Sequence, residues 1–187
     1  MHVWLSGPTG AGKSSLAEIF RRLRFAIVQE NLPGDRFCNF ASHPSKYCAQ
    51  LQEDIMRSRF EQWRALSGLS RVIFDRSVDE DFHIFCRMHF DAGFLTDRQY
   101  DRLRELSQEL QSAMPAPDLI VFLWPDRRTI SDRVTTNSHP LPIVNNLDCQ
   151  LSLYTQWLAD KKEEIIRIDN SGCRLQTLQD LIFIGER

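Results

Sequence analysis

Residues 7–14 read Gly7-Pro8-Thr9-Gly10-Ala11-Gly12-Lys13-Ser14, a complete G-x-x-x-x-G-K-[ST] pattern. Each fixed residue type has a chemical reason. Glycines let the backbone turn successive N–H groups inward around phosphate oxygens. A helix opening at Lys13 adds the partial positive charge of its N-terminus. Lys13 can reach β- and γ-phosphates, and the Ser14 hydroxyl can ligate Mg²⁺. The pattern carries weight only between a strand and a helix. That setting is present: Val3-Trp4-Leu5 reads as a buried strand, and Ser15-Leu16-Ala17-Glu18-Ile19-Phe20 as a helix. The sequence therefore predicts a nucleoside-triphosphate site built from Gly7, Gly10, Ala11, Gly12, Lys13, Ser14 and Ser15.

Two further places offer chemistry. A buried run at 25–29 ends at Glu30, and another at 72–74 ends at Asp75-Arg76-Ser77. In an open parallel sheet, ligands bind beyond the carboxyl ends of the strands. Asp75 is then placed for a second metal contact, through water, beside a Mg²⁺ on Ser14. The planar fork of Arg76 matches phosphoryl oxygens. Glu30 could take a proton from a substrate hydroxyl. The bland alternatives are a helix cap for Asp75 or Ser77 and a solvated turn for Glu30.

The elements that must position these residues follow from hydrophobic patterning. Near-continuous apolar runs at 2–6, 25–28, 72–74, 119–123 and 165–168 fit strands covered on both faces. Helical stretches between them, at about 13–23, 44–67, 77–92, 96–113, 126–136, 146–161 and 174–184, imply βαβ crossovers. The expected fold is α/β: three layers, with a five-stranded parallel sheet flanked by helices, as one domain over 1–187. The length of 187 residues and 42% apolar content suit it. A net charge of −2 gives no basic surface for a nucleic-acid polymer. No apolar run is long enough to span a membrane. The five cysteines, Cys38, Cys48, Cys86, Cys149 and Cys173, form no C-x-x-C pair and are odd in number. Reduced thiols in a cytoplasmic compartment are expected.

Phe74-Asp75-Arg76-Ser77-Val78-Asp79-Glu80-Asp81 resembles the D/E-R-S segment of the deoxyribonucleoside kinases. Phe40 to Gln52 resembles the stretch that opens their long substrate-side helix. Gln52 and Arg59 have the seven-residue spacing of that family's base-contacting Gln and Arg. The run Pro117 to Leu123 resembles the strand before their lid, and Trp157 falls where the family has an aromatic after it. The resemblance spans most of the chain in order. It implies the three-layer P-loop kinase fold and a kinase that uses ATP and Mg²⁺ to phosphorylate the 5′-hydroxyl of a deoxynucleoside, working as a homodimer through helices 44–67 and 96–113. Glu30 would be the general base, with Lys13 on the phosphates, Ser14 and Asp75 on the metal, and Arg76 on the 5′-hydroxyl and the transferring phosphate. Gln52, Arg59 and Asp81 would read the base edge, favouring deoxycytidine or a purine deoxynucleoside over thymidine. Arg133 would be a lid arginine on the ATP side, within a lid at 126–145.

Three positions depart from the family pattern. Ala41 stands where a Tyr usually meets the sugar 3′-hydroxyl. No carboxylate occurs from Val134 to Leu147, where the family has a partner Glu. Beyond Arg133 no arginine occurs until Arg167, so the lid lacks the family's arginine cluster. His139 is a possible substitute cation, and a solvated loop residue is the commoner case for such a His. Two alternatives stay open: a kinase of the same fold for another small hydroxyl compound, and a nucleotide-binding protein without phosphotransfer. A GTPase switch is disfavoured, because no N-K-x-D base-reading motif is present. Asp79 and Glu80 read as carboxylates stabilised at a helix start. Phe37, Phe40, Phe60, Trp63, Phe82 and Phe85 read as pocket wall or core.

Overall fold

A computed structural model describes residues 1–29, 34–136 and 145–172. Among them, five strands form one parallel sheet: β1 (His2–Ser6), β2 (Ala26–Val28), β3 (Val72–Asp75), β4 (Leu119–Leu123) and β5 (Ile165–Ile168). Their spatial order is β2-β3-β1-β4-β5. β1 lies centrally, with Leu5 opposite Asp75 on one side and Ser6 opposite Phe122 on the other. That register sets the end of β3 directly beside the chain entering the loop at Gly7.

Alternation along β1 sorts the layers, because successive strand side chains point to opposite faces. Val3 and Leu5 pack with Ile73, Val121 and Leu123 against Leu16, Ala17 and Phe20 of α1 (Lys13–Arg22). Trp4 faces the other way, with Phe74, Ile120 and Phe122, toward Ile84, Tyr154 and Trp157. β4 is buried along its whole length, as its unbroken Leu-Ile-Val-Phe-Leu run predicts.

The second face is covered by α3 (Pro44–Leu66), by a helical run after β3, and by α8 (Leu147–Ala159). The run consists of α4 (Val78–Glu80), a π-helical segment (Asp81–Cys86) and α5 (Arg87–Asp91). α6 (Asp97–Ser112) packs on α3 through Leu103, Leu106 and Leu110, in a third core cluster with Leu51, Ile55 and Met56. α7 (Arg127–Thr136) follows β4. These elements match the expected ones within a few residues; the helix expected at 174–184 lies outside the described residues. α2 (Gly34–Ser42) was not expected. It is short and flanked by Gly34 and Pro44, and it is held by one buried ring, Phe40, set edge-on to His89 and Phe94. Pro44 stands at the first turn of α3, where its missing N–H is harmless.

Candidate active site

The phosphate loop turns sharply at glycines whose positive φ would strain any side chain. Gly12 precedes α1 with φ +94°, and a Cβ there would lie 2.5 Å from Asn170 Nδ2. A Cβ on Gly7, at φ +145°, would lie 2.6 Å from the Leu123 carbonyl. The N–H groups of the first turn of α1 have no intrahelical acceptors, which makes the loop a seat for anions. Lys13 is buried and donates to the carbonyls of Gly7 (3.0 Å) and Pro8 (3.2 Å). Ser14 and Ser15 stand exposed on that first turn.

Three distant segments brace the loop. Arg133 of α7 donates to Gly10 O at 3.5 Å, Ala11 O at 3.4 Å and Asn170 O at 2.9 Å. Asn170, just beyond β5, donates to Ala11 O at 2.9 Å. Gln150 of α8 accepts from Thr9 N–H at 2.8 Å.

At the end of β3 the chain turns with Arg76 at φ +71°, a left-handed conformation that disfavours a side chain. Its guanidinium lies 4.5 Å from the centre of the Phe85 ring. Nη1 donates to Glu80 Oε1 (2.7 Å), to the Tyr154 hydroxyl (2.7 Å) and to Gly7 O (3.2 Å). Ser77 is the N-cap of α4, accepting from Glu80 N–H at 3.1 Å. The capping alternative is therefore correct for Ser77. Asp75 has a buried Oδ1 with no hydrogen-bond partner.

Behind this edge, Arg59 of α3 is paired with Asp81 and also donates to the Asp75 carbonyl. Gln52, two helical turns earlier, is 2% exposed and accepts from the Cys86 thiol across 3.7 Å, so it is not solvated. Burial raises both neighbouring thiols, that of Cys48 to about 12 and that of Cys86 well above the usual range, so both remain protonated.

The sequence-predicted residues thus gather in two groups. Lys13 and Arg76 converge on the Gly7 carbonyl. Arg59, Asp75 and Asp81 join behind the strand edge, with Gln52 further along α3. Glu30 and His139 lie outside the described residues, as does most of the lid beyond Thr136. Asp79 and Glu80 stand in the first turn of α4, as expected of carboxylates at a helix start, and both are also buried and partnered. Glu80 is fully buried and accepts from Ser6, Arg76 and Tyr154. Asp79 accepts from the Trp157 indole N–H at 2.7 Å and from Lys161. Of the aromatic set, Phe40 and Phe82 are core, while Trp63 walls a small void beside Arg59.

Sequence reasoning missed Glu80, Tyr154, Gln150 and Asn170. Ser77-x-x-Glu80 does match a capping-box pattern, yet the Glu80 side chain turns to the site instead. Tyr154 sits three residues before Trp157 on the buried face of α8, and only its polar tip distinguishes it from a core aromatic.

The sequence profile described as Deoxynucleoside kinase matches residues 3–167. The chain belongs to the deoxynucleoside kinase family. Deoxyadenosine kinase of Dictyostelium discoideum is 31% identical to it over 167 residues, 84% of this chain and 62% of that protein. Deoxyguanosine kinase of Lactobacillus johnsonii is 32% identical over 142 residues, 70% of this chain and 61% of that protein. The chain therefore spans about three fifths of the length of these relatives. The fold matches that of a deoxyadenosine kinase from M. mycoides with bound dATP, with a TM-score of 0.82 at 19% identity over 100% of both chains. Among the described residues, no helix is long and apolar enough to cross a membrane.

Proposed function

We propose that this deoxynucleoside kinase family member transfers the γ-phosphoryl group of ATP to the 5′-hydroxyl of a deoxynucleoside. The observation that carries the reading is the convergence of Lys13 and Arg76 on the Gly7 carbonyl. Two cations from different strand ends meet where a phosphoryl group would pass from the loop to an acceptor. In this reading the loop N–H groups seat the phosphates. Lys13 swings from its carbonyls onto the β- and γ-oxygens. Arg76 holds the group in flight, and Arg133 steadies the loop from the ATP side. Glu30, two residues after β2 in sequence, serves as the general base. Such placement of fixed charge is where most catalysis of phosphoryl transfer arises.

The residues present fit Mg²⁺. Ser14 offers a hydroxyl beside the loop, and Asp75 offers a buried carboxylate oxygen without a partner, both hard oxygen donors. When bound, the metal neutralises charge on the triphosphate.

Gln52, Arg59 and Asp81 are proposed to read the base edge. A Gln side chain supplies a donor and an acceptor, and the Arg59–Asp81 pair presents a fixed polar array. The names of the relatives support a purine acceptor. We further propose a lid over 126–145, a homodimer through α3 and α6, and a cytoplasmic setting supported by the free thiols of Cys38, Cys48, Cys86 and Cys149. The outward residues of α6, including Arg98, Asp101, Arg102 and Glu105, are exposed and charged, so sedimentation at low and high salt tests the dimer.

A second reading, a different hydroxyl acceptor, is favoured by one observation. Ala41 lies exposed in α2 and has no hydroxyl for a sugar. The test is a panel of deoxynucleosides, nucleosides and simple sugars assayed for ATP consumption with Mg²⁺. Glu30→Gln should lower turnover by roughly 10²–10⁴-fold with ATP affinity nearly constant. Turnover of a sugar but no nucleoside would replace the acceptor assignment.

A further inference from the structure

Arg76 is held in an unusual way. Its backbone is left-handed, a conformation that disfavours a non-glycine residue and persists only where the surroundings determine it. The surroundings here are one buried cluster joining four parts of the chain. Glu80 of α4 uses both carboxylate oxygens. Oε2 accepts from Ser6 Oγ at 2.7 Å, at the end of β1, and Oε1 accepts from Arg76 Nη1 at 2.7 Å. The Tyr154 hydroxyl, on α8, accepts from the same Nη1 at 2.7 Å and reaches both Glu80 Oε1 and Gly7 O, the latter at 2.9 Å. Glu80 and Tyr154 are both 0% exposed.

We propose that Glu80 and Tyr154 are positioning residues for Arg76: they clamp one corner of its guanidinium beside the Gly7 carbonyl, so that it meets the transferring phosphoryl group in a single orientation. This inference rests on the reading in the preceding section.

The chemistry of each group fits that task. A guanidinium is a planar fork of five N–H donors, so fixing the Nη1 corner fixes the direction of all the others. Glu80 supplies the charge that allows Arg76 to sit in a largely buried place. Tyr154 supplies direction. Its ring is wedged by Phe122 at 5.5 Å and Trp157 at 6.1 Å between centroids, so the hydroxyl has little freedom. Burial raises the phenol well above its usual range, keeping the proton on the oxygen. The Gly7 carbonyl is reached by three donors, Lys13, Arg76 and Tyr154, yet a carbonyl oxygen has two lone pairs. When Lys13 turns to the phosphates, either the Tyr154 hydroxyl or Arg76 Nη1 remains to satisfy that carbonyl. The loop can then release its lysine without losing register to Arg76.

A merely structural ion pair would show the same contacts, so the test must read more than stability. Tyr154→Phe removes one oxygen and keeps the packed ring. Turnover should fall about tenfold or more, with KM for ATP and for the deoxynucleoside within about threefold. Affinity for a deoxynucleoside 5′-monophosphate, measured by calorimetry, should weaken about tenfold, and affinity for the unphosphorylated deoxynucleoside should hold. In an Arg76→Lys background, which lacks the fork, Tyr154→Phe should lower turnover by less than about twofold more, since the two side chains act as one unit. Glu80→Gln keeps the size and loses the charge, and it should repeat the pattern. If both variants keep wild-type turnover and monophosphate affinity, or if Tyr154→Phe and Arg76→Lys act additively, the inference is overturned. A wild-type protein that neither phosphorylates a deoxynucleoside nor binds its monophosphate would instead overturn the functional reading, and the inference with it.

Discussion

The Arg59 guanidinium and the Asp81 carboxylate form an ion pair with both side chains more than nine-tenths buried. Arg59 comes from the middle of α3, and Asp81 opens the π-helical segment after β3. The same guanidinium donates to the Asp75 carbonyl, so one residue ties the long helix to the strand end at which phosphoryl transfer is proposed. Single-turn π segments recur at functional sites because the widened turn displaces side chains from the regular helical face. Here the segment carries Asp81 to Arg59 and the Cys86 thiol to Gln52.

Removing one partner of a buried pair leaves the other charge stranded. Arg59→Ala should destabilise the protein by about 3–5 kcal/mol, measured by urea unfolding. Asp81→Asn retains the shape and should cost less. If Asp81 also reads a base, Asp81→Asn should change the ranking of deoxynucleosides by kcat/KM. A stability loss with an unchanged ranking would leave the pair a structural role alone.

Lys13 tests the donor site. ATP with Mg²⁺ at about 100 times its Kd should stabilise the wild type by about 2.7 kcal/mol, since a ligand bound only by the folded state adds stability by mass action. Lys13→Ala should lose most of that gain in a thermal-shift measurement. An equal response of the two proteins would remove the loop as the site.

His89 predicts a pH dependence of stability. It is 2% exposed on α5, between Phe40 and Phe94, with Nδ1 buried and without a hydrogen-bond partner. Burial lowers its pKa from 6.5 to about 4. Between these values the unfolded chain takes up a proton that the folded one refuses. Stability is therefore full above pH 6.5 and falls as the pH drops toward 4, by about 3 kcal/mol in total from this group. His89→Leu should flatten that part of the profile in denaturant unfolding measured from pH 7 to pH 4. An unchanged slope would assign the effect to other groups.

Legibility in the sequence followed the range of the interactions. The loop glycines, Lys13 and the strands were readable because spacing and apolar runs are local signals. Arg76 and Asp75 were readable from their place at a strand end. Gln52, Arg59 and Asp81 were readable only through the family pattern, because nothing local separates a base-reading Arg from an ion-paired one. Glu80 was readable as a helix-start carboxylate but not as a buried one, since its partners Ser6 and Tyr154 each stand 74 residues away. Asn170 meets Ala11 across 159 residues, and no periodicity encodes such a contact. α2 escaped because a segment with one buried ring has no amphipathic stripe to detect.

Acceptor choice provides the last prediction. The proposed base readers, Arg59 and Asp81, are a tight buried pair, and such a pair leaves little room for a 5-methyl group while offering polar contacts to an exocyclic amine. Deoxyadenosine, deoxyguanosine and deoxycytidine should each outcompete thymidine. At the sugar, Ala41 has no hydroxyl, and no carboxylate follows it in the lid from Val134 to Leu147. Loss of the 3′-hydroxyl therefore strands no buried partner, and the kcat/KM penalty for a 2′,3′-dideoxy analogue should be small compared with the 10⁴–10⁵-fold (order of magnitude) seen where a site is built to bond a hydroxyl. The measurement is a competition among the four deoxynucleosides, each paired with its dideoxy analogue. Preference for thymidine would defeat the base assignment, and a large dideoxy penalty would show that another residue binds the sugar.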